Sequence, residues 1–186
     1  LQLATRYVFE DRWGGQKNWN RQWAGSDSIY GEYIRTNRVE VMGSYPIWQK
    51  QNLELQYSYV FHGQRSHYGQ TQFDADQHTA FAQLLWNRTF LEKHFLNTGA
   101  TVGYTWYDDN TALTGIEKNG VIKNRAQQTV LPGIFSQYEF QINEQHRIMG
   151  GARLDAHPVH GVIFSPRLAY KFAHYQAGTF RITAGR

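Results

Sequence analysis

The chain has 186 residues, no cysteine, 16% aromatic residues and a formal charge of +4. The missing cysteines exclude a disulfide scaffold and a thiolate metal site. The charge is spread along the chain, with no basic run to serve as a nucleic-acid footprint.

Mean hydropathy is negative, and no stretch reaches the roughly 18 apolar residues of a membrane-spanning helix. A membrane barrel remains open, because half of each of its strands faces a polar interior. Leu1 to Arg6 lacks the basic start and apolar middle of a signal peptide.

Leu1 to Trp13 alternates, with Leu1, Leu3, Thr5, Tyr7 and Phe9 against Gln2, Arg6, Glu10 and Arg12. A period of two predicts a β-strand, since successive side chains point to opposite faces. Gly14 to Tyr30 reads as a long polar loop. Gly31 to Tyr45 is the return strand, and Pro46 to Asn52 a short turn. Leu53 to His62 sets Leu53, Leu55, Tyr57, Tyr59 and Phe61 against Glu54, Gln56, Ser58 and His62. Gly63 to Ala75 reads as a second long loop. His78 to Asn87 places Ala80, Ala82, Leu84 and Trp86 on one face, with a mixed face of Phe81, Gln83 and Leu85 behind it. After a turn near Leu91 to His94, Leu96 to Tyr107 alternates again. Asp108 to Ala126 is a third long loop, and Gln127 to Ile142 the next strand. Asn143 to Gln145 is a tight turn. His146 to Asp155 and Val162 to Phe172 form a hairpin about Pro158 to Gly161. Ala173 to Gly178 turns once more, and Thr179 to Gly185 is the last strand.

The count is about nine strands. Long and short connections alternate from one end to the other, as in outer-membrane barrels, with Pro158 the exception. Tyr7, Phe9, Tyr57, Tyr59, Phe61, Tyr104, Trp106, Tyr138, Phe140, Tyr170 and Phe172 fall on the apolar side. Many lie near strand ends, as interfacial girdles do; cross-strand packing in a soluble sandwich is the other reading. Pro166 within a strand predicts a local bulge.

Three motifs stand in order near the end of the chain. They are Gly151, Arg153 and Asp155 (G-x-R-x-D); Phe164, Ser165, Pro166 and Arg167 (F-S-P-R); and Arg181, Gly185 and Arg186 (R-x-x-x-G-R). The stretch GGARLDAHPVHGVIFSPRLAYKF, followed by FRITAGR, resembles the barrel of a TonB-dependent outer-membrane receptor. The tight match covers roughly the last forty residues, and a looser one the rest.

The resemblance implies an all-β, transmembrane, antiparallel up-and-down β-barrel. An odd strand count, and strands at both ends of the chain, predict a piece of a larger barrel, and the resemblance implies that these are about nine strands of a barrel of about 22. Residues 1–186 are expected to be part of that one domain, without the plug domain or the TonB-contacting segment. The implied function is active import of a scarce nutrient, such as a metal chelate or cobalamin, across the outer membrane of a Gram-negative bacterium. The implied partners are outer-membrane lipid and lipopolysaccharide, the TonB protein, the imported ligand and, in one branch of the family, a surface lipoprotein. No cofactor and no nucleic acid are expected. A passive porin, and a non-transport barrel such as an adhesin or an enzyme, are the alternatives.

The lumen of such a barrel would receive Arg38, Glu40, Glu54, Arg153, Asp155, Arg167, Lys171 and Arg181, which lie on the polar side of their strands. Candidate ligand contacts sit in the outer loops: Trp13, Trp19, Arg21, Trp23, Tyr68 and Asp108. Aromatic faces beside amide and guanidinium donors suit a bulky polar ligand. Asp155, His157 and His160, and His62 with His67, invite a metal reading, but polar loop histidines are the expectation. Glu10, Glu32, Glu40, Glu54 and Glu139 invite an acid-pair reading for glycoside hydrolysis. No G-x-S-x-G, H-E-x-x-H or phosphate-loop pattern is present, and the chain is expected not to be an enzyme.

Overall fold

The computed structural model describes residues 1–26, 28–118, 121–175 and 178–186. Asp27 of the first loop, 119–120 of the third and 176–177 of the turn expected at Ala173 to Gly178 lie outside the described residues.

In chain order the strands are β1 (Gln2–Gly15), β2 (Gly31–Trp48), β3 (Leu53–Tyr68), β4 (Thr71–Phe90), β5 (His94–Asp109), β6 (Gly115–Lys118), β7 (Val121–Asn124), β8 (Gln127–Gln141), β9 (His146–His157), β10 (Gly161–His174) and β11 (Gly178–Gly185). Nine of them form one antiparallel meander, β1-β2-β3-β4-β5-β8-β9-β10-β11, and β6 and β7 form a separate hairpin. The architecture is all-β, and the sheet is open rather than closed into a barrel. Connections 16–30, 69–70, 110–126 and 158–160 lie at one end, called upper below. The others lie at the lower end.

Two expected loops are largely strand. Residues Gly63 to Ala75 continue the β3–β4 ladder, which turns only at Gly69 (φ +59°) and Gln70. Segment 110–126 carries β6 and β7, paired from Gly115 with Asn124. Register passes without a shift through Pro166, opposite Ala152. The irregularity falls instead between Pro46 and Trp48. The Pro166 carbonyl accepts from the Arg186 amide at 3.2 Å. Its missing N–H therefore faces β11 where that ladder is ending, and costs only one bond.

Register fixes the two faces. The row Leu55, Leu84, Ala100, Ile134, Leu154 and Phe164 consists of directly opposed residues on β3, β4, β5, β8, β9 and β10. All of the aromatics predicted for the apolar side share this face with it. Rim histidines join them. His78 lies directly opposite Phe61 and Trp106, and its Nδ1 is 2.7 Å from the Tyr59 hydroxyl. His94 stacks on Phe140 and hydrogen-bonds Tyr138, and His146 stacks on Phe172 and hydrogen-bonds Tyr170.

The apolar face is a tilted band. On β3 it runs from Leu53 to Phe61, with one outward position below the row and three above it. On β9 it runs from Ile148 to Ala156, with three positions below and one above. Both edges therefore shift by four residues over four strand-to-strand steps. One residue per strand, at a rise of about 3.3 Å and a spacing of about 4.8 Å, makes a tilt of about 35°. Above the band the same face turns polar: Phe9 gives way to Asp11, Val39 to Asn37 and Arg35, Phe61 to Gly63 and Arg65, His78 to Asp76 and Asp74, Trp106 to Asp108, and Val130 to Gln128.

Among the described residues no second layer covers this face. Among the described residues Ala75 is the one buried hydrophobic residue, and Ile134, Leu168 and Ile182 are 58%, 63% and 70% exposed. Among the described residues the strand side chains that are buried, those of Thr36, Glu40, Ser66, Ala75, Thr101 and Asp109, all lie on the opposite, polar face.

Candidate functional site

Loop 16–30 is drawn down onto the upper end of the sheet. Asn20 caps the short 3-10 turn Arg21–Trp23 by accepting from the Gln22 amide at 2.9 Å. The Arg21 guanidinium then reaches back to Asp11 at 2.9 Å and lies 4.8 Å over the Trp13 ring and 5.6 Å over Tyr33. A cation over an aromatic face with a carboxylate beside it is a mutually supporting arrangement. The Trp19 indole lies against Gly31, where any Cβ would strike it, and its Nε1 is buried without a partner among the described residues. Gly25 approaches the His67 ring, so the loop also covers the top of β3.

Of the six candidate contacts, Trp13 and Arg21 touch each other, and Trp19 and Trp23 belong to the same folded loop. Tyr68 stands apart on the polar face, opposite Glu32, where its hydroxyl accepts from Gln64 at 3.4 Å. Glu32 accepts from the Tyr30 hydroxyl at 2.9 Å. That bond, with the carboxylate charge, holds the Tyr30 phenol above its ordinary value. Asp108 lies on the other face, directly opposite Asp76, with one carboxylate oxygen buried and without a partner among the described residues. It borders a groove of about 420 Å³ with Arg65, Asp74, Asp76 and Asn110. Arg65 grips both oxygens of Asp76, at 2.9 and 2.6 Å.

Asp11 and Tyr33, which hold Arg21, were not among the sequence candidates. The signal was present, because Asp11 is the charged residue that breaks the apolar side of β1.

The base of loop 110–126 is set by Asp109. Burial pushes its carboxyl up, but the Thr111 amide and the Tyr107, Thr114 and Thr111 hydroxyls all donate to it, and the net position is below the ordinary value. A depressed carboxylate stabilises above its unfolded pKa, and that contribution is lost as pH falls through the folded one. The base of the loop should therefore stay closed above about pH 4 and open on further acidification. Amide exchange at Thr111 should rise steeply across that range. In Asp109→Ala it should already be fast at neutral pH, for a local cost of about 1–3 kcal/mol. An exchange rate at Thr111 that acidification left protected would contradict this.

The eight polar-side charges share one face. Glu40 accepts from Arg38 and lies 3.8 Å from Arg6. Arg153 donates twice to Asp155 at 2.7 Å and once to Thr101 at 3.1 Å. Gln56 donates to Glu54 at 3.0 Å. Arg167, Lys171 and Arg181 line a groove further along β10 and β11.

The five glutamates of the acid-pair reading do not converge: Glu40 and Glu139 are matched to arginines, Glu10 lies 3.5 Å from Arg12, and Glu54 and Glu32 are held by Gln56 and Tyr30. The His157 Nδ1 accepts from the Val159 and His160 amides, which closes the β9–β10 turn, and Asp155 is taken by Arg153. Among the described residues no group of three or more acidic or histidine side chains is arranged to hold a metal ion.

No protein-family model matches this chain, and no curated protein matches it either.

Proposed function

We propose that this chain forms part of the transmembrane β-barrel of an outer-membrane importer of the TonB-dependent receptor type. The observation that carries the membrane part is the apolar band. It is nine residues tall on β3 and on β9, tilted, unburied, and backed by a polar face. Membrane strands need about 9–11 residues at a tilt of about 35–45°, with an outward apolar band about 25 Å tall and aromatic girdles. Nine residues at about 3.3 Å, tilted by about 35°, cover about 22 Å before the side chains are added. A soluble sheet must cover such a face with a second layer.

In a bilayer the open edges at β1 and β11 must pair, because lipid offers backbone groups no partner. On this reading they close against further strands of a larger barrel in the outer membrane. The charged face lines the lumen, and the upper loops meet the ligand. Dependence on TonB, and a metal chelate or cobalamin as cargo, rest on the three strand motifs near the end of the chain.

Uptake of labelled ferric chelates and cobalamin in cells, with and without the TonB protein, tests the import reading. TonB-dependent uptake that falls when residues 18–24 are deleted, with barrel assembly intact, is the expected result. Uptake independent of TonB would favour the porin alternative. Unchanged uptake after the deletion would leave loop 16–30 as a plain connection.

A further inference from the structure

We infer that the polar face at the lower end of β9, β10 and β11 binds a small oxyanion carrying two or more negative charges. Arg147, Lys171 and Arg181 occupy directly opposed positions on three adjacent strands. Their side chains therefore rise from one face about 5 Å apart, and like charges so placed destabilise a sheet. Arg167 joins them around a groove of about 370 Å³ that also touches Met149 and Glu139. Among the described residues that line the groove Glu139 is the one carboxylate, and Arg147 already occupies it at 2.9 Å.

The rest of the polar face behaves differently. Arg6 and Arg38 share Glu40, Arg12 lies beside Glu10, and Arg153 beside Asp155. Arg167, Lys171 and Arg181 have no hydrogen bond or ion pair among the described residues. A polar face that pairs its arginines elsewhere and lines up three cations here stores repulsion that a bound anion would relieve. Arginine forks and a lysine point charge suit phosphate and carboxylate oxygens alike. A doubly charged group can bridge two neighbouring cations. The groove is polar and open, so the affinity should fall steeply with salt. The site uses only the sheet face, and it stands whether or not the import reading does.

Pyrophosphate and citrate serve as probes for the full-length protein in detergent, read by thermal unfolding and by titration calorimetry. At low salt, at least one of them should raise the unfolding temperature of the wild type. Whichever responds names phosphate or carboxylate as the group. In Lys171→Gln and Arg181→Gln the affinity should drop about tenfold or more, while Lys50→Gln at a lower turn keeps it. Without anion, Lys171→Gln should unfold at a higher temperature than the wild type, because a like-charge contact is gone. A merely structural lysine would show the reverse. If the variants fail to fold, broadening of the pyrophosphate phosphorus resonance by the wild type, abolished by salt, supplies the same reading. Absence of binding by both probes, or equal binding by wild type and Lys171→Gln, overturns the site.

Discussion

Ile134→Arg should destabilise the protein in a bilayer by about 2–4 kcal/mol. Ile134 lies near the middle of the apolar run of β8, between Val130 above and Phe140 below, and points outward in the row from Leu55 to Phe164. It is 58% exposed, so on a water-facing surface the same change would fall within about 0.5 kcal/mol of neutral. The large cost comes from placing a guanidinium at mid-band depth. It should fade toward the edge: Gln128→Arg, just above the band on the same face, should cost about 0–1 kcal/mol. Reversible unfolding from lipid vesicles in denaturant measures both. Equal, small effects at the two positions would remove the depth dependence on which the membrane reading rests.

Gly99→Val should cost about 3 kcal/mol, at the upper end of what overpacking usually costs. Gly99 lies on the polar face of β5, directly opposite Phe135, whose ring lies across it at 2.9 Å from where a Cβ would sit. The same Cβ would also collide with the Leu84 carbonyl oxygen. A ring can swing aside, but that carbonyl is backbone of β4, the strand paired with β5, and cannot yield without breaking the ladder. Gly103 supplies the control, four residues along the same strand and face. The nearest atoms to a Cβ there are those of Leu131 at 3.8 Å, an ordinary contact. Gly103→Val should therefore be tolerated, since a strand also gains from a β-branched side chain. The denaturation midpoints of the two variants separate steric exclusion from a general cost of replacing glycine. Equal midpoints would contradict the packing described here.

The strands were legible because their two sides differ in polarity. From Leu53 to Tyr59 the alternation is unbroken, and the register sets Leu53, Leu55, Tyr57 and Tyr59 on one face as the period requires. The same contrast explains the misreading of Gly63 to Ala75. Above the band both faces carry polar residues, so Gln64, Arg65, Ser66 and His67 show no period, although their backbone stays in the ladder. Pattern reports environment, and hydrogen bonding can continue where the pattern stops. Phe81 and Leu85 show the converse, as apolar residues on the polar side of β4 that blurred its period.

The site was less legible, because it depends on register between strands far apart in sequence. Composition makes Arg21 a loop cation. Only the fold brings it to Asp11 and over Trp13 and Tyr33. Likewise Arg147, Lys171 and Arg181 are scattered in the chain, and pairing aligns them.

The central claim is that the tilted apolar band faces lipid. The chain has no cysteine, so single cysteines can be placed one at a time along β3 and labelled with a nitroxide. Accessibility to oxygen, which concentrates in lipid, and to a polar nickel chelate, which stays in water, then reports the surroundings of each position. Labels at Leu53, Leu55, Tyr57, Tyr59 and Phe61 should favour oxygen, and labels at Glu54, Gln56 and Ser58 the chelate. From Gly63 to Tyr68 the chelate should prevail on both faces. Oxygen-favouring labels at Glu54 and Gln56, or chelate access without a period of two from Leu53 to Phe61, would contradict the account.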